Sequence, residues 1–181
     1  MKVFSTDFPD VLILEPEVFK DERGFFLEMF NKKTFQECTG QKVSFVQDNL
    51  SQSHKGVLRG LHYQIKQPQG KLIQVLRGAV FDVAVDIRKQ SPSFGKWVGV
   101  ELSAENKRQV WIPPGFAHGF LALSDTVDIC YKVTKYRAPQ WERTIRWDDP
   151  QLGIKWPTTE SLTLSPKDAM ASLLQDADLY R

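Results

Sequence analysis

The sequence predicts an all-β protein, either a sandwich or a barrel. Short segments rich in β-branched and aromatic residues recur along most of the 181 residues, and turn signals such as KQPQG, KQSPSFG and IPPGF separate many of them. Regularly spaced short strands are typical of these two architectures. The predicted strands span residues 10–15, 24–30, 43–50, 56–64, 71–78, 79–87, 96–103, 108–112, 119–124 and 127–136.

Two segments are predicted to be helical. Residues 31–40 fit a short surface helix that ends near Gly40. Residues 165–177 fit a second helix, with Ser165 as its N-cap and Pro166 at its first position. Because no repeat, low-complexity segment or linker interrupts the chain, we expect residues 1–181 to form one domain.

The composition excludes several classes of partner. The net charge is +2, too small to indicate nucleic acid or a membrane surface. Cys38 and Cys130 have no spacing that suggests a disulfide framework or a zinc site, so they fit a reducing compartment. Because the sequence lacks a signal-peptide core and a membrane-length apolar run, we expect a cytoplasmic protein.

The predicted strand VLRGLHYQ carries two residues that are unusual in an apolar run, Arg59 and His62. Side chains alternate between the two faces of a strand, so regular pairing would point these two in opposite directions. We hypothesise a β-bulge at Gly60, which would let both face one cavity. From this strand alone, His62 could equally be a satisfied core histidine and Arg59 a surface residue.

Two motifs indicate a particular kind of barrel. The spacing from Gly56 to His62, and the later PPGFAH at 113–118, resemble the signature motifs of the cupin superfamily, whose fold is a β jelly roll or double-stranded barrel. Metal-binding cupins usually supply His-x-His and then Glu from the first motif and another His from the second. Here Gln64 stands in place of the second histidine.

The residues in these motifs argue against a metal. No glutamate lies between His62 and Gly78, and Lys71 brings a positive charge that would repel a cation. His62 and His118 alone fall short of the usual three or four ligands. The sequence therefore predicts a metal-free interior that is suited to proton transfer.

Longer stretches narrow the resemblance to one family. They run in order across almost the whole chain and include DERGFFLEMFN (21–31), FVQDNLS (45–51), GKLIQV (70–75), GAVFDVAVDIR (78–88), SPSFGKWVGVELSAENKRQVWIPPGFAHGF (91–120), CYKVTKY (130–136) and LSPKDA (164–169). In these sequence stretches the chain resembles the family of dTDP-4-dehydrorhamnose 3,5-epimerases. The resemblance implies a cupin-type jelly roll with a few short peripheral helices. It also implies a cofactor-free epimerisation of dTDP-4-dehydro-6-deoxy-D-glucose at C3 and C5, the carbons that flank the C4 ketone.

The resemblance assigns four catalytic roles. His62 would be the general base, Asp168 the carboxylate that pairs with it, Lys71 the residue that stabilises the enolate oxygen, and Tyr131 the acid on the opposite face. Each has a simpler alternative. Asp168 lies three residues after Ser165 and could cap a helix, Lys71 could be a solvated edge residue, and Tyr131 could pack in the core.

Asp82 and Asp86 share one face of a predicted strand. We expect them to face outward as polar residues, although Asp82 could instead keep Lys71 charged.

The resemblance also implies a substrate-binding set. Gln47 and Asn49 share a strand face around Asp48, and Phe26 and Tyr136 are candidates for stacking on the base. The full set is Arg23, Phe26, Glu28, Gln47, Asp48, Asn49, Arg59, His118, Tyr136, Glu142 and Lys167. Arg23, Arg59 and Lys167 are expected near the diphosphate and Glu28 at the thymine edge.

Family members exchange an N-terminal strand, so we expect a homodimer in which residues 21–30 complete the partner's pocket. Two alternatives stay open. One is a related dTDP-ketosugar enzyme that epimerises only C3 or only C5, or that isomerises the ketone. The other is a jelly roll that binds a nucleotide or sugar without chemistry.

Overall fold

The computed structural model describes residues 1–180, which are mostly strands. The strands in chain order are β1 (Lys2–Ser5), β2 (Leu12–Glu15), β3 (Val18–Asp21), β4 (Gly24–Leu27), β5 (Gln47–His54), β6 (Leu58–Gln64), β7 (Lys71–Arg77), β8 (Ala79–Asp86), β9 (Trp97–Ser103), β10 (Gln109–Ile112), β11 (Phe116–Ala122), β12 (Thr126–Val133) and β13 (Glu142–Thr144). The two α-helices are short, α1 (Lys32–Thr39) and α2 (Pro166–Ala169). The predicted all-β class with short peripheral helices is confirmed.

Antiparallel pairing arranges these strands in two main sheets and a hairpin. The six-stranded sheet has the order β1-β2-β10-β7-β12-β5, and the five-stranded sheet has the order β13-β6-β11-β8-β9. Strands β3 and β4 pair only with each other. The crossing connections between the two sheets are those of a jelly roll.

The core lies between the two main sheets. Alternate residues of β7, such as Ile73 and Val75, pack there with Ile129 of β12, while Ala84 and Phe120 come from the opposite sheet. Phe120 and Ile129 also line a large pocket, so the pocket opens directly above the apolar core. Every second side chain of a strand faces inward, and it meets either the core or the pocket according to its position along the strand.

Helix α1 covers the outer face of the six-stranded sheet. Asn31 caps its N-terminus by accepting from the backbone N–H groups of Lys33 and Thr34, and Gly40 ends it in the left-handed conformation. Its buried residue, Phe35, packs edge-on against Trp111 of β10 at a centroid distance of 5.5 Å. The helix predicted over 31–40 is confirmed.

The helix predicted over 165–177 is wrong beyond its first turn. Ser165 does cap α2, accepting from the N–H of Asp168 at 3.2 Å. After Ala169 the chain leaves the helix, because Ser172 pairs with Ile145 as an isolated bridge and Leu174 is buried against the five-stranded sheet. Burial of this segment overrides its local helical preference.

Several strand boundaries also differ from the prediction. Segment 24–30 forms a strand only to Leu27, and segment 43–50 is displaced to Gln47–His54. Strand β5 has a polar sequence, QDNLSQSH, so hydrophobic alternation could not locate it. The short strands β1, β3 and β13 were not predicted.

Candidate active site

A bulge in strand β6 turns its polar residues toward the pocket. His118 of β11 pairs with His62, but Phe120 pairs with Arg59, so β6 has one extra residue in this interval. Gly60 lies in the bulge with φ +136°, and a Cβ on it would come within 2.5 Å of Gly119 Cα. Both Arg59 and His62 line the pocket, as the bulge hypothesis predicted.

His62 forms a close pair with a buried carboxylate. Its Nε2 lies 2.6 Å from Oδ1 of Asp168, whose side chain is only 3% exposed. Burial acts to raise the pKa of Asp168, but hydrogen bonds from His62, Ser165 and the Gly60 backbone hold that pKa below its usual value. This pair engages Nε2 of the ring and leaves Nδ1 outside it.

The Asp168 carboxylate is not the group that caps helix α2, which was the alternative role for this residue. Ser165 caps α2 through its own hydroxyl, and Asp168 contributes its backbone N–H to that bond. The Asp168 side chain instead reaches His62.

Lys71 is buried at the pocket wall, with only 8% of the residue exposed. Its ammonium donates to the backbone oxygen of His62 at 3.4 Å. Burial lowers the pKa of Lys71 to about 8, while the charges of Asp82 and Glu142 act to raise it. Lys71 is therefore mostly charged at neutral pH but close to the point at which it loses its proton.

A second histidine–carboxylate pair lies beside the first. His118 Nε2 is 2.8 Å from Oδ2 of Asp82. Burial lowers the pKa of His118, although Asp82 opposes that shift, so the ring is neutral at pH 7. Asp82 is 2% exposed and faces the interior, where its charge supports Lys71, so the prediction that it faces outward is wrong.

Asp86 is also buried, and its prediction as an outward residue is wrong too. Its carboxylate accepts from Arg88 at 2.8–2.9 Å and from Ser91 and Ser93 at 2.6 Å. These hydrogen bonds lower its pKa to about 2, although burial is the largest single influence and acts in the opposite direction. This cluster satisfies its own charges and lies outside the pocket.

Tyr131 faces the pocket from the opposite sheet. It lies on β12, whereas His62 lies on β6, so the two side chains approach the cavity from the two walls of the jelly roll. Burial raises the pKa of Tyr131, and the nearby charges of Arg59 and Arg137 act to lower it. The phenol is therefore protonated at neutral pH and available as a donor.

Most of the remaining predicted residues line the same pocket, which has a volume of about 860 Å³. Arg59 Nε donates to Ser53 Oγ at 3.1 Å, which aims the guanidinium along β5. Gln47 and Asn49 hydrogen-bond each other at 2.7 Å on the inner face of β5. The pocket-lining members of the predicted set are Gln47, Asp48, Asn49, Arg59, His62, Lys71, His118, Tyr131, Glu142, Lys167 and Asp168.

Asp48 differs from its two neighbours on β5. Its carboxylate lies 2.7 Å from the ammonium of Lys132, the residue directly opposite Asp48 on β12. Since Gln47 and Asn49 share the inner face, the Asp48 carboxylate and Lys132 lie on the other face of the sheet, and Asp48 borders the pocket through its place in β5 and not through its carboxylate.

Four predicted binding residues do not line this pocket. Arg23 pairs with Asp21 in the β3–β4 hairpin, and Phe26 in the same hairpin is 69% exposed. Glu28 accepts from Asn31 Nδ2 at 3.1 Å, and Tyr136 is 65% exposed. Within one chain, the hairpin and the pocket are separate.

Several further residues line the pocket that the sequence does not predict there, among them Arg137, Gln64 and Gln69. Arg137 lies in the loop after β12 and pairs with Glu142 at 2.7 Å. Arg137 belongs to no recognisable motif, and an arginine in a loop is usually solvated, so the sequence gives no reason to place it in the pocket. The cupin motif marks Gln64 only as the residue that stands in place of a histidine, and it predicts no contact for the Gln64 amide.

Across residues 1–180, no group of three or more His, Cys, Asp and Glu side chains is arranged to hold a metal ion. The helices of this described part are all too short or too polar to cross a membrane.

The jelly-roll fold and its histidine-lined pocket define a protein of the cupin type. A family model described as dTDP-4-dehydrorhamnose 3,5-epimerase matches residues 5–176. The chain belongs to this family and is an isomerase, in agreement with the resemblance seen in the sequence.

Individual relatives agree with this assignment. A dTDP-4-dehydrorhamnose 3,5-epimerase of Salmonella typhimurium is 60% identical over 178 residues, covering 98% of this chain and 97% of that protein. One from Pseudomonas aeruginosa is 56% identical over 180 residues and covers 99% of each. A crystal structure of the Legionella pneumophila dTDP-6-deoxy-D-glucose-3,5-epimerase in complex with dTDP-4-keto-L-rhamnose has a TM-score of 0.97 and 56% identity, covering 99% of this chain and 97% of that one.

Proposed function

We propose that this chain converts dTDP-4-dehydro-6-deoxy-D-glucose to dTDP-4-dehydro-L-rhamnose by epimerising C3 and C5, a step of dTDP-L-rhamnose biosynthesis. The observation that carries the proposal is the His62–Asp168 pair, 2.6 Å apart, in a pocket that also presents Lys71 and, from the opposite sheet, Tyr131. The Legionella enzyme was crystallised with a sugar nucleotide of the same kind.

The first step would be proton removal by His62. Both reacting carbons lie beside the C4 ketone, so loss of either proton gives an enolate. Asp168 holds the ring through Nε2 and stabilises the imidazolium that forms, which leaves Nδ1 to take the proton. The Asp168 carboxylate is nearly completely buried, so its charge acts on the ring at short range, screened only from the partly exposed side of His62.

Lys71 would hold the enolate oxygen at C4. A buried ammonium stabilises a developing oxyanion more strongly than one in water does. Its pKa of about 8 is set mainly by burial, and an anion beside it would raise that value. His118, neutral and fixed by Asp82, would offer a further polar contact to the sugar.

Tyr131 would return a proton on the face opposite to His62. Inversion at carbon requires removal from one face and delivery to the other. The positions of these residues on opposite sheets support that division of roles. Burial keeps the phenol protonated until it donates.

The anionic end of the substrate would be held at the pocket mouth. Arg59 and Lys167 supply positive charge there, and Gln47 and Asn49 supply amide groups on the adjoining strand. Glu142 accepts from Lys167 at 3.1 Å, so it would also orient that cation.

The four residues outside the pocket fit a domain-exchanged homodimer. The β3–β4 hairpin exposes Phe19, Phe25 and Phe26 by 55–69%, a large apolar surface for a segment that pairs with no other strand among residues 1–180. We propose that residues 21–30 reach a partner's pocket and bring Arg23, Phe26 and Glu28 to the nucleotide. Tyr136 would then stack on the base at that junction.

Proton exchange in deuterated water tests the reaction. The purified protein is incubated with the 4-keto sugar nucleotide, and the C3 and C5 signals are followed by NMR. Deuterium at both carbons is expected. Deuterium at only one carbon would indicate a single-site epimerase or a ketoisomerase instead, and none at either carbon would refute the proposal.

A further inference from the structure

Gln64 occupies the position at which metal-binding cupins carry their second histidine, two residues after His62 on β6. It is 4% exposed, and its amide is engaged with another segment of the chain. Oε1 accepts from the N–H of Ala138 at 2.8 Å, while Nε2 donates to the backbone oxygens of Gln67 at 3.0 Å and Tyr136 at 3.3 Å.

Two of these bonds bracket Arg137. The oxygen of Tyr136 belongs to the peptide group before Arg137, and the N–H of Ala138 belongs to the one after it. The N–H of Arg137 itself donates to Oε1 of Gln47 at 3.0 Å. Both peptide groups that flank this arginine are therefore fixed by glutamine side chains of the pocket wall.

Arg137 gives this wall a surplus of positive charge. Its Nε lies 2.7 Å from Glu142, which also accepts from Lys167 at 3.1 Å, so two cations share one carboxylate. The guanidinium is still 63% exposed and lines the pocket. A surplus cation in a pocket built for a nucleoside diphosphate matches the charge of that diphosphate.

We propose that Gln64 is a positioning residue that fixes Arg137 in the pocket wall, and that Arg137 binds the diphosphate of the substrate. This inference rests on the proposed function for the identity of the ligand. It assigns to Gln64 no part in proton transfer, because its amide is committed to the loop.

A double-mutant cycle tests the coupling. Gln64→Leu removes the amide at nearly constant volume, and Arg137→Gln removes the charge. The Kd for dTDP, and KM and kcat for the sugar nucleotide, are measured for each variant and for the double variant. Tyr63→Phe is the matched control at the adjacent residue. It removes the hydrogen bond that the Tyr63 hydroxyl donates to the backbone oxygen of Asp178 at 2.7 Å, and the Tyr63 ring packs in a buried apolar cluster that contains neither Gln64 nor Arg137.

We expect Gln64→Leu and Arg137→Gln each to raise Kd and KM about tenfold while kcat stays within about threefold. The double variant should be no weaker than Arg137→Gln alone, because Gln64 acts through that arginine. Multiplied effects, an unchanged Kd in Gln64→Leu, or an equal loss in Tyr63→Phe would overturn the inference.

A second variant keeps the test decisive if Gln64→Leu does not fold. Gln64→Glu keeps the acceptor for Ala138 but loses the donor for the Tyr136 oxygen, so it should also raise the Kd for dTDP; unchanged affinity would count against the inference. Failure of the proposed function is distinguishable, because wild-type protein would then exchange no deuterium into the sugar. If the wild type does exchange, these variants test the positioning role alone.

Discussion

Replacement of Asp168 with Asn separates the charge of the carboxylate from its shape. The oxygen lies 2.6 Å from His62 Nε2, and its side chain is 3% exposed. Two unit charges about 4 Å apart interact by about 4 kcal/mol at an effective dielectric constant of about 20. Because the His62 ring is 38% exposed to solvent, we take roughly 3 kcal/mol as the charge effect on the imidazolium.

That energy corresponds to a fall in kcat of about two orders of magnitude. An asparagine can also donate to Nε2 and favour the wrong tautomer, which would increase the loss. The assay is initial-rate epimerisation under saturating substrate, with the Kd for dTDP measured in parallel. We expect kcat to fall about 100-fold or more and Kd to stay within about threefold.

Ser165→Ala is the matched control for this experiment. It removes the Ser165 hydroxyl, which caps α2 by accepting from the Asp168 N–H at 3.2 Å and also helps to hold the pKa of Asp168 low, but it leaves the carboxylate paired with His62. It should cost about 1 kcal/mol of stability and little activity. The reasoning is refuted if Asp168→Asn keeps kcat within about fivefold, or if Ser165→Ala loses as much as Asp168→Asn does.

The other predictions concern Lys71, Gly60 and Tyr131. Lys71→Met should lose most activity yet gain up to about 3 kcal/mol of stability at pH 7, because burial lowers the folded pKa to about 8 from 10.5 and so penalises the charged form. The gain should disappear as pH rises from 8 to above 10.5, because the folded wild type binds fewer protons than the unfolded chain in that window and so becomes more stable. Urea unfolding of both proteins at several pH values measures this. Equal stability of the two proteins at pH 7 would contradict the prediction. Gly60→Ala should destabilise the fold by more than about 2 kcal/mol in urea, because its Cβ would lie 2.5 Å from Gly119 Cα at a φ of +136°; a wild-type midpoint would contradict the bulge argument. Tyr131→Phe should still exchange protons for deuterium but form inverted product at least about 100-fold more slowly, as followed by NMR; normal inversion would remove Tyr131 from its role.

The fold was predictable where a strand is a short apolar run between turn residues. Strand β7 is buried on both faces, with Ile73 and Val75 in the core and Leu72 packed under helix α1, and its boundaries were predicted within a residue. Strand β5 was misplaced because its inner face is polar: Gln47, Asn49 and Ser51 line the pocket, and Ser53 accepts a hydrogen bond from Arg59. The helix predicted over 165–177 failed because its cap was correct but tertiary burial of Leu174 determined the rest.

The site was predictable to the extent that its residues occur in recognisable motifs. A glycine between Arg59 and His62 was a sufficient signal for the bulge that brings both into the pocket. Asp82 was assigned to the wrong face because alternation gives the shared face of two residues but not which side that face meets. Arg137 and the amide contacts of Gln64 depend on a loop that approaches β6 from far along the chain, and local sequence contains no record of that approach.

In the proposed reaction, the imidazole of His62 removes the protons from both C3 and C5. The direct test is His62→Ala, assayed for deuterium incorporation at C3 and at C5 in the same sample, with dTDP affinity measured on the same preparation. We predict that incorporation stops at both carbons while dTDP still binds with near wild-type affinity. Continued incorporation at either carbon by this variant would contradict the account.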